Sequence, residues 1–496
     1  MTRNRVTSIS DRADWCIQHA CYSLQFFFKH LFMAKFNVTT NTITINKAGG
    51  QAYSQEPKLA FLSILLTSFV KNQYYRSEDE TLHEVSSLID SMPDKKFVAK
   101  AAIFARTKFG MRSITHVVAG ELAKRVKGET WAKDFFDKII YRPDDMTEIL
   151  ACYKAITGMK LTHAIRKGFA KAITRFDSYQ LAKYKNNNKA ISLVDIARLV
   201  HPKNTGPISQ LMKGTLPIPE TWETQMTATK GDEKQKKQVW EKLIKERKIG
   251  YFALLRNLRN IIEQAPEIIS ESIQLLTNED IIRKSLVLPF RYLTAIDEIE
   301  KLNGSGVREV LQALNIALDK AVGNVPEFAG DTLVVLDVSG SMAGKPATIG
   351  ALFAAVLYKS NNADLMVFSD DARYITLNPV DSTLTLAKSI RFTSGGTNFH
   401  AIFEHANKSY DRIFILSDMQ GWIGNITPVK NFNAYKQRTG ANPFIYSFDL
   451  QGYGTMQFPQ DHVYALAGFS EKIFDIIKLL ETDKEALMHE IEKIEL

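Results

Sequence analysis

The stretch from Asp331 to Met342, DTLVVLDVSGSM, constrains the fold more than any other. Thr332 to Leu336 is a short, β-branched, continuously apolar run, the composition of a strand buried on both faces of a parallel sheet. It stops at Asp337, and Ser339, Gly340 and Ser341 follow. In an open α/β sheet, ligands bind beyond the carboxyl ends of the strands. One carboxylate and two hydroxyls on alternate residues of a turn can aim hard oxygens at one centre. Such a set suits Mg²⁺, with Mn²⁺ as the alternative. Two later stretches can complete the shell. SGGTNF offers Thr397 behind Gly395 and Gly396, and RIFILSD is a second buried-strand run that ends in Asp418.

This order of D-x-S-x-S, then Thr, then Asp resembles the metal-ion-dependent adhesion site of the von Willebrand factor A domain. The resemblance implies a Rossmann-like α/β domain over residues 326–496, with Asp337, Ser339, Ser341, Thr397 and Asp418 as metal ligands. In adhesion-type members, an acidic side chain of a protein partner fills an open metal position. A protein-binding module on a helical scaffold is therefore one function open to the chain.

A chain of 496 residues is too long for one core and is expected to form two or three domains. Its net charge of +9 is unevenly spread. Residues 326–496 carry 14 basic and 20 acidic side chains, against 49 and 34 in residues 1–325. That asymmetry points to a polyanionic partner for the first part only. The three cysteines, Cys16, Cys21 and Cys152, make no disulfide framework and no metal-ligand spacing with His, so a reducing, cytoplasmic setting is expected. No window of about 18 apolar residues suggests a membrane span. Ile17 to Met33 is apolar-rich but broken by His19, Gln25, Lys29 and His30, which makes a poor signal peptide. Residues 1–33 are expected to be an N-terminal extension, either dispensable or a real helix, with Met33 an alternative start.

Residues 34 to 53 are polar and β-branched and read as an extended arm. From Glu56 to about residue 322 the apolar spacing is helical. Helix starts are legible where Ser77 precedes EDETLHEVSSLI, Pro93–Asp94 precedes KKFVAKAAIFARTKF, and Asp144–Asp145 precedes MTEILACYKAIT. About sixteen helices of roughly 12–16 residues with short connections read as an irregular α-solenoid.

NKAGGQAY (Asn46 to Tyr53), NQYYRSEDE (Asn72 to Glu80), FVAKAAIFARTKFGMRSITHVVA (Phe97 to Ala119) and GYFALLRNLRN (Gly250 to Asn260) together resemble the TROVE module. TROVE followed by a von Willebrand factor A domain is the architecture of the Ro autoantigen family, including its bacterial and phage branch. The resemblance implies a toroid of HEAT-like repeats over residues 34–325, closed by the second domain. It further implies that the ring binds small Y-like noncoding RNAs on its outer surface and takes single-stranded ends of misfolded RNA. An exoribonuclease partner, a role in RNA quality control, and a monomeric state belong to the same expectation.

Charge supports that direction independently. Residues 151–260 carry 22 basic and 8 acidic side chains, nearly the whole excess. Lys167, Lys171 and Arg175 recur every fourth residue on one helix stripe, while Ile165, Phe169, Ala172 and Phe176 take the packed face. Such a stripe attracts phosphates without reading bases; a solvated helix face is the bland alternative. In the Ro family, a Lys-Tyr segment, a basic residue shortly after it, and a His before a Lys-Pro or Pro-Lys pair contribute to RNA binding. The matching positions are Lys183, Tyr184 and His201, with either Lys185 or Lys189 left to supply the later charge. Tyr184 and His201 are candidates to stack on an unpaired base, or else to pack and cap helices. Lys230 to Lys248 mixes both signs and reads as an ordinary exposed helix. No catalytic set is visible: Ser339 and Ser341 have no evident His base, and the ten His residues show no H-E-x-x-H spacing. A binding protein rather than an enzyme is expected.

Overall fold

The computed structural model describes residues 43–54, 57–67, 77–158, 160–185, 191–218, 221–285, 287, 289–424, 428–453, 455–458, 462–466, 474, 477, 480–481 and 486–496. The proposed extension 1–33, with Cys16 and Cys21, and the RNA-face candidate Lys189 lie outside the described residues.

Seventeen α-helices follow one another from Pro57 to Val322 among the described residues. Their starts obey local chemistry. Ser77 caps helix Glu78–Ser91 with a reciprocal box: its Oγ accepts from Glu80 N at 3.2 Å, and Glu80 Oε2 accepts from Ser77 N at 2.6 Å. Asp94 Oδ1 caps helix Lys95–Thr107 through Phe97 N at 3.0 Å. The third start differs from the sequence reading. Helix Pro143–Thr157 begins before Asp144 and Asp145, because Pro143 occupies its first turn, where no N–H is required. Asp145 instead serves as a buried anchor. Its carboxylate accepts from Arg106 at 2.9 and 3.0 Å, from Arg142 N at 2.8 Å and from Tyr141 N at 3.0 Å, and lies 2.9 Å from His116 Nε2. Burial opposes its charge, but the His116 hydrogen bond and the Arg106 charge outweigh burial and hold Asp145 down to about 2. Helices Lys95–Thr107, Ser113–Arg125 and Pro143–Thr157 are thereby tied at one polar point inside an apolar array.

The C-terminal part is a six-stranded sheet. Its strands are β3 (Thr332–Asp337), β4 (Asp364–Phe368), β5 (Ala372–Ile375), β6 (Arg412–Ser417), β7 (Phe444–Asp449) and β9 (Val463–Leu466), in the order β5-β4-β3-β6-β7-β9. All neighbours are parallel except β4 and β5. Every residue of β3 and β6 is buried, as their unbroken apolar runs require. Alternation then divides the core. Val334 and Leu336 join the apolar cluster that continues into the helical array, whereas Leu333 and Val335 face a second cluster on the other side of the sheet.

The helical array meets this α/β domain at both ends, which closes a ring. At the far end, helix Val307–Val322 packs against helix Thr383–Ser389. There Asp319 Oδ1 accepts from Thr383 N at 2.8 Å and Thr383 Oγ1 at 2.5 Å. At the near end, helix Lys95–Thr107 packs against Ala486–Glu492, with Lys100 Nζ 2.8 Å from Glu492 Oε2. The arm also closes here. β1 (Ile43–Ile45) and β2 (Gln51–Ser54) form a hairpin, and β2 pairs antiparallel with β8 (Thr455–Met456). The hairpin turn docks on the loop after β6: Asn46 Nδ2 donates to Gly421 O at 2.6 Å, and Lys47 N donates to Gln420 Oε1 at 2.7 Å.

Gly50 makes this contact possible, because a Cβ at that position would lie 2.0 Å from Gly421 O. Gly50→Ala is therefore expected to cost about 1–3 kcal/mol and to release the hairpin. Faster amide exchange at Gln51–Ser54, together with a lower melting temperature, checks this. Wild-type exchange there would mean the turn does not hold the closure.

Candidate metal centre and cationic helical face

The sheet brings three carboxylates to one edge. β3 is central, and the chain passes first to β4 on one side and later to β6 on the other. The crevice at such a reversal is where open α/β sheets place ligands. Asp337 ends β3, Asp418 follows β6 directly, and Asp449 ends β7. Asp337 and Asp418 are fully buried, and Ser339, Ser341 and Thr397 are nearly so.

Hydrogen bonds lock the loops in place. Asp337 Oδ1 accepts from Ser339 N at 2.9 Å, and its Oδ2 accepts from Ser417 Oγ at 2.6 Å. Ser339 Oγ lies 3.3 Å from Ser341 Oγ. Gln451 Nε2 donates to both Ser341 O at 3.2 Å and Asp418 Oδ2 at 3.3 Å. The Thr397 loop is attached on two sides: Gly340 N donates to Gly395 O at 3.0 Å, and Trp422 N to Thr397 O at 3.2 Å. Hydrogen bonds thus join the loops that carry Asp337, Ser339, Ser341 and Asp418, and the Thr397 loop is attached to them through its backbone.

Electrostatics define what the site lacks. Burial raises the Asp337 carboxyl against the bonds from Ser339 and Ser417. Burial raises Asp418 too, and the adjacent Asp337 charge adds to it. Among the described residues, no Lys, Arg or His forms an ion pair with Asp337 or Asp418. Two buried acids beside three hydroxyls, with no basic partner, are a donor set that a small hard cation would complete. Among the described residues, no group of three or more His, Cys, Asp or Glu is arranged to hold a metal. A cation here would therefore rely on hydroxyl and water oxygens. Sequence reading missed Asp449, Ser417 and Gln451. The signal for Asp449 was available, since FIYSFD is a third apolar strand run ending in a carboxylate.

The cationic candidates lie on a contiguous set of helices. Helix His163–Ile173 carries Lys167 and Lys171, and Arg175 follows it. Helix Leu193–Val200 packs on it and on helix Gly206–Lys213, which packs on Ser178–Lys183. Ile165, Phe169, Ala172 and Phe176 are buried, as the stripe required. Its charged members differ among themselves. Lys167 is exposed, but Lys171 Nζ is 2.8 Å from Asp137 Oδ2. Arg175 also pairs with Asp137 and donates to the carbonyls of Asp137 and Ile140 at 2.9 Å each. Arg175 thus has a packing role, and the exposed Lys171 an ion pair, that the helix period could not reveal, because Asp137 belongs to a different helix, Ala132–Lys138.

Tyr184 is partly buried, with the Arg142 guanidinium 4.4 Å and Lys183 Nζ 5.8 Å from its ring centre. Lys183 also approaches Tyr179, whose side chain is 46% exposed. Arg142 and Tyr179 were not anticipated. His201 caps helix Leu193–Val200 in the left-handed conformation (φ 51°), and its side chain is exposed. The helix end and the projection of the ring are therefore set by the same residue.

Residues 50–213 and 210–326 match the TROVE domain family. Telomerase protein component 1 of Mus musculus is 22% identical over 344 residues, covering 50% of this chain and 13% of that protein. The RNA-binding protein RO60 of Deinococcus radiodurans is 28% identical over 225 residues, covering 39% of this chain and 42% of that protein. The chain thus spans less than half the length of either relative. The crystal structure of Deinococcus radiodurans RO (RSR) protein superposes with a TM-score of 0.60 at 19% identity, over 84% of this chain and 97% of that one. That is a likeness of fold: a helical ring with a C-terminal α/β domain.

Replacing Arg175 with Ala removes a partner of the buried Asp137 and two carbonyl contacts. With Arg175 itself partly exposed, a loss of about 1–3 kcal/mol is expected in chemical denaturation. An unchanged midpoint would return Arg175 to the set of cations available to a ligand.

Proposed function

Because the chain belongs to the TROVE domain family, we propose that it is an RNA-binding ring protein that acts by binding rather than by turnover. The observation that carries this is the concentration of positive charge on the helical half: residues 151–260 have 22 basic against 8 acidic side chains, while residues 326–496 are net acidic. Phosphates are drawn to such a surface without sequence readout. Lys167, Lys183 and Lys185 track the backbone in this reading, with Lys171 and Arg175 contributing less because Asp137 holds them. Tyr184 and His201 offer rings to unpaired bases. The bound species are small noncoding RNAs and single-stranded ends of misfolded RNA. An exoribonuclease partner would consume the rejected RNA. A cytoplasmic setting follows from that substrate; no helix among the described residues is long and apolar enough to cross a membrane.

The metal centre has a separate role. Asp337, Ser339 and Ser341 would hold Mg²⁺ or Mn²⁺, with Thr397 and Asp418 completing the set. The ion would neutralise two buried carboxylates and leave a position for an acidic group. The net acidic charge of residues 326–496 favours a protein partner for that position over RNA.

Two experiments test these assignments. RNA affinity is expected to fall linearly with log salt, by roughly 0.7 log units per phosphate contact for single strands. Lys183→Ala with Lys185→Ala should flatten the slope by about one to two contacts. His201→Ser should keep the slope but cost about 1–3 kcal/mol if the ring stacks on a base. Wild-type affinity and slope in both variants would assign these residues to helix surface alone. For the metal, 100-fold excess Mg²⁺ over its Kd should raise stability by about 2.7 kcal/mol in the wild type. Asp337→Ala should abolish that gain and leave RNA affinity within about twofold. Equal Mg²⁺ stabilisation of the variant would show that the ion binds elsewhere.

A further inference from the structure

A second cationic feature lies away from the Lys183–His201 region, on helices Tyr251–Gln264 and Pro289–Ile299, which pack side by side. Between them opens a cleft of ≈ 600 Å³, within the range of small-ligand pockets. Phe252, Arg256, Arg259, Asn260, Arg291 and Thr294 line its polar part.

The cleft concentrates features that packing alone does not require. Phe252 is 41% exposed, although its neighbours Tyr251, Leu254 and Leu255 are buried. Two guanidiniums approach that one ring: the central carbon of Arg256 lies 5.7 Å from its centre and that of Arg291 lies 5.5 Å away. Burial and the facing charge of Arg256 depress Arg291 below the usual arginine range. Like charges this close repel, and an anion between them relieves the repulsion. Among the described residues, Arg256 has no carboxylate partner. The cleft's third arginine is answered within the protein: Arg259 Nε donates to Glu263 at 3.1 Å, and its NH1 is 3.9 Å from Glu298. The charge of Arg256, at the Phe252 end, is therefore the one left for a ligand.

We infer that this cleft binds one nucleotide of a single RNA strand, with the phosphate between Arg256 and Arg291 and the base stacked on the Phe252–guanidinium surface. The inference rests on the RNA-binding reading above and adds a second contact to it. The forked guanidinium matches phosphate oxygens in pairs, which a lone lysine cannot do. An exposed aromatic flanked by arginines provides a stacking platform that tolerates any base. An acidic peptide would satisfy the arginines but leave the aromatic surface without use. Duplex RNA is disfavoured because its bases are already stacked on each other.

The probe is a fluorescein-labelled ten-nucleotide oligouridylate, titrated by anisotropy into the full chain and its variants. Phe252→Leu should weaken binding by about 5- to 100-fold with the salt slope unchanged. Arg256→Gln with Arg291→Gln should weaken binding and flatten the slope by roughly one to two contacts. Thermal melting within a few degrees of wild type confirms that each variant is folded. In the unaltered chain, an oligomer carrying 5-iodouridine should photocross-link to the peptide containing Phe252. If both variants bind as the wild type while Lys183→Ala with Lys185→Ala binds weakly, the cleft assignment is wrong and the RNA-binding reading stands. If the wild type binds no RNA, both fail together. If the variants lose affinity for a ten-residue polyglutamate but not for the oligouridylate, the cleft is a protein site and the inference is overturned.

Discussion

Everything in this molecule depends on the joint where the Asn46–Gly50 turn meets the loop after β6. An α-solenoid has two ends, and each exposes an apolar face unless something covers it. Here one α/β domain covers both. At the near end the joint is made largely of backbone and amide groups. Asn46 accepts from Ala48 N and Gly50 N through its Oδ1 while its Nδ2 reaches Gly421 O, so one side chain shapes the turn and docks it. Gln420 receives Lys47 N and donates to Thr455 Oγ1 and to Asp418 O. A single buried amide therefore ties the hairpin, β8 and the loop that carries Asp418.

That joint places the candidate metal centre beside the ring closure and leaves the cations on the helical half of the ring. The acidic domain contributes carboxylates buried at the edge of its sheet, while the helical half contributes charges that solvent can reach. Within the helical half, the same separation repeats on a smaller scale. Asp145 holds Arg106 buried, and Asp137 pairs with Arg175 and Lys171 although both stay exposed, as Lys167 and Lys183 do. Net charge alone therefore overstates the surface available to a polyanion. The partner helices decide which cations are spent on packing.

Much of this was legible in the sequence, for a physical reason. β3 and β6 are buried on both faces, so their apolar runs are unbroken and their terminal carboxylates stand out; Ser77 and Asp94 cap helices because few residue types can. The packed face of helix His163–Ile173 followed from its period. What escaped depends on residues far apart in the chain. Asp137 is 38 residues from Arg175, and Arg291 is 39 residues from Phe252, so neither pairing leaves a local trace. The start of helix Pro143–Thr157 was misplaced because Asp144–Asp145 looked like caps, when Pro143 already supplied the first turn. Gly50 read as part of an extended arm, and the approach of Gly421 O explains why no side chain is possible there.

The most direct test is to irradiate cells expressing the full chain and map cross-linked nucleotides by mass spectrometry. Nucleotide adducts are expected on peptides of the helical half, within residues 151–295, and not on residues 326–496. A chain that purifies with the absorbance of clean protein and carries no adduct, or adducts confined to residues 326–496, would contradict an RNA-binding ring.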